Sequence, residues 1–342
     1  MSAKSNARIY MAVIVILIIL VGIFAYVAFT PKAPVAPEKV RIAAVFPGTI
    51  EDLSWNTDAY KALLAIQKDF NVDVAFTDRV GPADWEKVGA TYAAQGYNAV
   101  YLHGAEFSDV GPKLAAQYPK TFFICGVCGP YNSTLPDNMV AIISKSEQSG
   151  YVGGVVAGLL TKSGKVGIVM GFDYPMIVKV AEAFKLGAKS VNPTIQVLVV
   201  YAGTWVDPQK GKTIANAMID QGADIIVHWA DATGLGALDA AKERGVMAMG
   251  GISDQLAYAP NVVVTSAVMG VYDFVYWSLS HFIKGDVPRG TTYYYGIEQG
   301  LRPLGEWNTS IVPQSVIDQA NQVIAKIKNG EIQVPVIGTP TP

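Results

Sequence analysis

The chain has 342 residues, with 26 lysines and arginines against 28 aspartates and glutamates and a net charge of −2. That balance provides no basic footprint for nucleic acid. Apolar residues make up 51% of the chain, partly because of one N-terminal run, and the roughly 300 residues behind that run suffice for two lobes with real cores.

Residues 1–8 carry Lys4 and Arg8 and no acidic residue. Residues 9–29 follow as IYMAVIVILIILVGIFAYVAF, without a charge and with one glycine. At about 1.5 Å per residue this predicts a helix of roughly 30 Å, the thickness of a bilayer core. The basic flank keeps the N-terminus in the cytoplasm and places the bulk of the chain outside it. Two alternatives stand: a single-pass signal anchor, or a cleaved signal peptide. The run exceeds the roughly 7–15 apolar residues of a signal peptide and no A-x-A follows it, which favours the anchor. No cysteine near its end could carry a lipid. Residues 30–39, TPKAPVAPEK, contain three prolines and predict an extended spacer.

Beyond residue 39, short β-branched runs alternate with longer amphipathic stretches, a pattern of parallel strands and crossover helices. Strands are predicted at 40–46, 72–76, 98–103, 121–124, 139–143, 165–170, 196–201, 224–228, 246–249 and 262–266. Helices are predicted at 56–70, 84–95, 108–118, 147–161, 174–190, 208–221, 234–244, 272–283 and about 313–328. Ten strands are too many for one comfortable sheet, so the expected fold class is α/β with two doubly wound lobes. The clearest seam lies near residues 144–150. A faint internal echo pairs residues 91–111 with 217–236: each has a helix, Gln-Gly, a strand ending at a histidine (His103, His228), and a small acidic loop.

Cys125 and Cys128 stand in FFICGVCGPYN. A redox-active C-x-x-C usually opens a helix, whereas Gly-Pro-Tyr-Asn is turn chemistry. A local disulfide is the favoured reading, with free thiols as the alternative; zinc would need further ligands. Asn132 and Asn308 open glycosylation sequons, compatible with an external location.

In open α/β sheets, ligands sit beyond the carboxyl ends of the strands. Read in order, those positions offer Asp52, Trp55 and Asn56; His103 and Phe107; Phe172 and Tyr174; Trp205; His228, Trp229 and Asp231; and Asp254. Three of six tryptophans fall in these loops. Each tryptophan alone could equally be a lid over the core. Together, beside carboxylates and amides, they suit a flat, hydrogen-bonding ligand such as a nucleobase, nucleoside or sugar. No phosphate loop, dinucleotide fingerprint, zinc-protease or hydrolase-elbow motif is present, and the small residues of GYVGGVVAG at 150–158 read as close helix packing. Nothing pairs the aspartates with a nucleophile or base partner.

Several strings, in order, carry a resemblance: DLSWN at 52–56, GYVGGVVAG at 150–158, TKSGKVG at 161–167, AFKLGA at 183–188, VNP at 191–193, QGADII at 221–226 and VTS at 264–266. Residues 40–300 resemble the BMP family of extracellular solute-binding proteins, the PnrA-like purine nucleoside receptors of ABC transporters. AGTWVDP at 202–208 and HWADAT at 228–233 look closest to a branch associated with adenine-type ligands. The resemblance implies a two-lobed type I periplasmic-binding fold with ligand clamped between the lobes. It implies no reaction, no cofactor and no metal, and ABC permease subunits as partners. Trp55 takes the family's stacking position and Asn56 its neighbouring polar contact. Where the family has G-V-D-S-D-Q, this chain has GGISDQ at 250–255, so Ile252 replaces an aspartate expected to hold ribose. Either Asp231 or Asp254 takes over, or the ligand is a free base. The expected layout is a cytoplasmic N-terminus at 1–8, an anchor at 9–29, a linker at 30–39 and a tail at 333–342. One lobe takes 40–145 plus about 267–300, the other 146–266 plus about 301–332. A sugar receptor, a sensor subunit and a nucleoside hydrolase are the competing functions.

Overall fold

The computed structural model describes residues 3–29, 39–129, 131 and 134–341. The chain divides into two compact units, residues 1–39 and 40–342. In the first, helix α1 (Ala3–Phe29) carries the apolar run, and the side chains of Met11–Phe24 are exposed. Among residues with described side chains, no helix is long and apolar enough to cross a membrane. The proline spacer at 30–38, Asn132 of the first sequon and the proline at 130 lie outside the described residues.

The second unit begins with β1 (Arg41–Val45), α2 (Trp55–Phe70), β2 (Asp73–Thr77), α3 (Trp85–Ala94), β3 (Ala99–His103), α4 (Val110–Gln117), β4 (Phe122–Gly126) and β5 (Met139–Ser144). It continues with α5 (Ser146–Leu160), β6 (Lys165–Met170), α6 (Pro175–Val191), β7 (Gln196–Tyr201), α7 (Pro208–Asp220), β8 (Ile225–Trp229), α8 (Asp231–Arg244), β9 (Met247–Ile252) and β10 (Val263–Val268). It ends with α9 (Val271–Lys284), β11 (Thr291–Tyr295) and α10 (Gln314–Lys328). The strands form two parallel sheets, ordered β11-β5-β4-β3-β1-β2 and β10-β9-β8-β6-β7. This is a two-lobed α/β architecture of the periplasmic-binding type. The central strands are buried along their whole length, which explains why they read as continuous apolar runs rather than alternating ones: helices cover both faces.

In each sheet the strand order reverses beside the first strand of the lobe, at β1/β3 in one and β6/β8 in the other. Those are the topological switch points where crossover helices diverge and leave a crevice. The loops after β1, β3, β6 and β8 therefore converge on the cleft between the lobes.

Two differences from the sequence reading have physical causes. Strand β11, the run TTYYY, was not expected. It is an edge strand with only Tyr295 buried, and it forms by pairing in parallel with β5 from a point far away in the chain. Its Thr/Tyr content was the available signal. Helix α8 starts at Asp231, not at residue 234. Gly234 looks like a helix breaker, but it lies inside the helix, and the position takes glycine because a Cβ there would run into the His228 imidazole.

Candidate ligand-binding cleft

The loop after β1 makes a tight turn into α2, with Leu53 at φ 53°. Asp52 caps the helix: Oδ1 accepts from the backbone of Ser54 (2.9 Å) and Thr57 (3.0 Å), and Oδ2 from the backbone of Asn56 (2.9 Å) and its Nδ2 (2.7 Å). Ser54 holds the N-cap position yet makes no side-chain cap bond. Because Asp52 satisfies the helix start, the Ser54 hydroxyl is left to reach the other lobe. It donates to Asp231 Oδ1 at 2.6 Å. One turn further along α2, Asp58 Oδ2 accepts from Ser253 Oγ at 2.6 Å, a second bond between the lobes.

Trp55 opens α2 and is only partly buried. Its ring stacks on His103, with centroids 4.1 Å apart and planes at 20°. His103 is fully buried at the end of β3. Its Nε2 faces the Trp55 carbonyl oxygen at 3.1 Å and its Nδ1 faces the Tyr101 hydroxyl at 3.0 Å. Nε2 must carry the proton to donate to the carbonyl, so Nδ1 accepts from Tyr101. Burial pulls the imidazole down to about 3, so at neutral pH Trp55 rests on an uncharged ring. Asn56 is buried, and its Oδ1 has no hydrogen-bond partner among the described residues. A buried unpaired acceptor carries a desolvation cost that a ligand donor would recover.

On the other lobe, Phe172 stacks on the exposed Tyr174 (5.0 Å, 2°) and tilts against Trp205 (5.4 Å). The Trp205 loop is stitched to α8: Thr233 N donates to the Trp205 carbonyl (3.1 Å), and Asp207 N to Thr233 Oγ1 (3.0 Å). Asp231 starts that helix at φ 44°. Burial drives its carboxyl up to about 7, against the lowering effect of Ser54. Ser54 and Asp231 thus join the two lobes beside Trp55, and the Trp205 loop is tied to the helix that Asp231 opens.

Besides Asp52, whose oxygens are taken up by the start of α2, four expected residues lie elsewhere or serve otherwise. Phe107 is fully buried in the cluster behind the first sheet, against Trp85. Trp229, the last residue of β8 and the largest fully buried side chain among the described residues, packs in the core. Asp254 is spent on structure, accepting from Ser266 Oγ and from the backbone of Leu256 and Glu306. His228 is buried with Nε2 2.6 Å from Gln255 Oε1, and burial lowers it to about 4. Sequence reasoning missed Asp58 and Tyr101; Ser54 and Ser253 stand in the strand-end loops it singled out, within DLSWN and GGISDQ, but it gave neither a role.

Asn308 of the second sequon is buried, with Nδ2 donating to the carbonyls of Pro260 (2.6 Å) and Val263 (3.0 Å). That amide is unavailable to a glycan in the folded chain. Among the described residues no cluster of His, Cys, Asp or Glu is placed to hold a metal ion.

A family model, Bmp, described as ABC transporter substrate-binding protein PnrA-like, matches residues 39–337. The chain is 29% identical to the transcriptional activator protein med of Bacillus subtilis, over 85% of this chain and 90% of that protein. It is 29% identical to a purine-binding protein of Brucella abortus, over 87% of this chain and 83% of that one. An ABC transporter solute-binding protein from Aeropyrum pernix superposes with a TM-score of 0.75 at 21% identity, covering 86% of this chain and 94% of that chain.

Proposed function

The chain belongs to the Bmp family of PnrA-like ABC transporter substrate-binding proteins, a family of binding proteins and not of enzymes, and from that premise we propose that it captures a purine nucleoside or nucleobase for an ABC importer. The observation that carries this reading is Trp55 stacked on neutral His103 beside the unpartnered Oδ1 of buried Asn56. A heteroaromatic ring would stack on the indole, at about 1–3 kcal/mol per base. An exocyclic amine would donate to Asn56. Phe172, Tyr174 and Trp205 would close over the ring from the second lobe, and Asp231 would meet a ring nitrogen or hydroxyl. Lobe closure would complete the site. The likeness to a purine-binding protein supports the ligand class.

In this reading α1 is a signal anchor that holds the receptor at the membrane, near its permease, where tethering raises effective concentration. The lobes are taken to divide at 40–145 plus about 267–300 and 146–266 plus about 301–332.

Thermal-shift titration with purine bases, nucleosides, pentoses and hexoses tests the ligand class. Stabilisation by at least one purine is expected; a clear shift with a pentose and none with any purine would sink it. The likeness to a transcriptional activator favours a second reading, in which the liganded protein signals to a partner. Uptake of labelled purine by cells with and without the gene separates the two, since a sensor leaves uptake unchanged.

A further inference from the structure

A continuous line of contacts joins Trp55 to the only two cysteines. Cys125 lies in β4, Cys128 three residues on, and both are fully buried. The structure joins them as a disulfide, with Cα atoms 5.5 Å apart. The bond encloses Gly126 and Val127. Val127 sits at φ 63°, a left-handed conformation that β-branched residues avoid, so this turn needs a constraint to persist. Gly126 backs directly onto Tyr101: a Cβ there would overlap the Tyr101 hydroxyl and come within 2.8 Å of its Cζ. Tyr101 then donates to His103 (3.0 Å), His103 donates to the Trp55 carbonyl (3.1 Å), and the His103 ring supports the indole. A second link runs in parallel. Cys128 Sγ lies 3.2 Å from the Gly104 carbonyl, and Gly104 N donates to the Gly126 carbonyl at 2.9 Å. The crosslink thus closes the turn at the carboxyl end of β4, which the Gly104–Gly126 backbone bond holds against the end of β3.

We propose that the Cys125–Cys128 disulfide is a positioning crosslink for the ligand platform, clamping the Gly126–Val127 turn against Tyr101 so that His103 and Trp55 stay stacked. The inference rests on the reading of Trp55 as the purine platform. Opening the bond takes two electrons and two protons. A dithiol supplies both and becomes a disulfide itself, leaving two thiols on the chain. Val127 is then free to leave its left-handed conformation, the support behind Tyr101 shifts, and the imidazole loses its fixed orientation. The receptor would therefore hold ligand in an oxidising compartment and release it more readily on reduction.

The test is isothermal titration of the full chain in detergent with adenine and with adenosine, before and after treatment with dithiothreitol. Thiols are counted by alkylation and mass spectrometry, and indole emission is recorded alongside. Reduction is expected to weaken the binding purine at least fivefold and shift the emission, with recovery on reoxidation. Tyr101→Phe keeps the disulfide but cuts the bond to His103; it is expected to lose affinity similarly and to respond less to reductant than the wild type. Complete reduction with unchanged affinity overturns the proposal, as does tight binding by a purified chain that already carries two free thiols. If the buried bond resists the reductant, the Cys125→Ala/Cys128→Ala variant replaces it. If that variant does not fold by circular dichroism, Tyr101→Phe decides, and wild-type affinity there overturns the proposal. Failure of the oxidised chain to bind adenine, adenosine or any purine of the thermal-shift series overturns the receptor reading and this inference with it, whereas tight binding indifferent to redox state overturns this inference alone.

Discussion

At Trp55 the indole rests on an imidazole that burial keeps neutral, and the side chain beside it, Asn56, has an unspent acceptor. Replacing Trp55 by alanine removes the stacking surface, worth about 1–3 kcal/mol, and is expected to weaken purine binding about tenfold or more by calorimetry. Unchanged affinity would make Trp55 a structural lid. Titration behaviour at this scale has opposite signs for the two kinds of group. His103 and His228 have folded pKa values of about 3 and about 4 against an ordinary 6.5. The unfolded chain takes up their protons first, so their contribution is lost as pH falls below about 6.5. Asp231 is raised to about 7 from 3.8. The folded state holds its proton where the unfolded state does not, so stability falls as pH rises through that window. Asp231→Asn is therefore expected to match wild type near pH 4 and to melt at least about 2 °C higher at pH 8. A difference that stays constant with pH would refute the assignment.

Among the helices, α5 and α6 pack with backbones in near contact. A Cβ on Gly150 or Gly154 would strike the carbonyls of Val180 or Phe184, and one on Gly187 would strike that of Tyr151. The sequence reading of GYVGGVVAG as packing rather than a phosphate loop agrees with this geometry. Gly154→Ala is expected to cost about 1–3 kcal/mol or more by overpacking, measured by urea denaturation, with ligand affinity of the folded fraction unchanged. A neutral result would mean that the pair separates cheaply. Helix positions were legible because the crossover helices are long stretches between short β-branched runs and turn residues. β11 was not, since five residues at an edge become a strand only when β5 offers a partner.

Across the whole molecule, three chain crossings join the lobes. Ser144 Oγ donates to the Met269 carbonyl (2.8 Å), Lys145 N to that of Tyr295 (2.8 Å), and Lys179, paired with Glu147 at 2.7 Å, to that of Ser144 (3.0 Å). Away from this hinge, Ser54–Asp231 and Ser253–Asp58 hold the lobes shut. The Ser253–Asp58 pair is the cleaner probe because neither residue is next to Trp55 in the chain, as Ser54 is. Ser253→Ala, Asp58→Asn and the double variant should show a coupling of about 0.5–3 kcal/mol in ligand affinity, chiefly as faster dissociation by stopped flow. Additive effects would mean that the bond contributes nothing to closure.

By itself the sequence determined the alternation of strand and helix, the two-sheet architecture, and the loops that carry Asp52, Trp55, Asn56, His103, Phe172, Trp205 and Asp231. Each follows from local patterning and from the rule that ligands gather beyond strand ends. Side-chain direction was beyond its reach. Phe107, in the turn after β3, and Trp229, the last residue of β8, read like the other strand-end aromatics, yet both are buried in the apolar clusters of the core. Asp52 and Asp254 read as ligand carboxylates, but unpaired backbone N–H groups of nearby turns claim their oxygens first. The serine–aspartate bonds between lobes join residues 177 and 195 positions apart, a separation at which only the folded chain selects the partner.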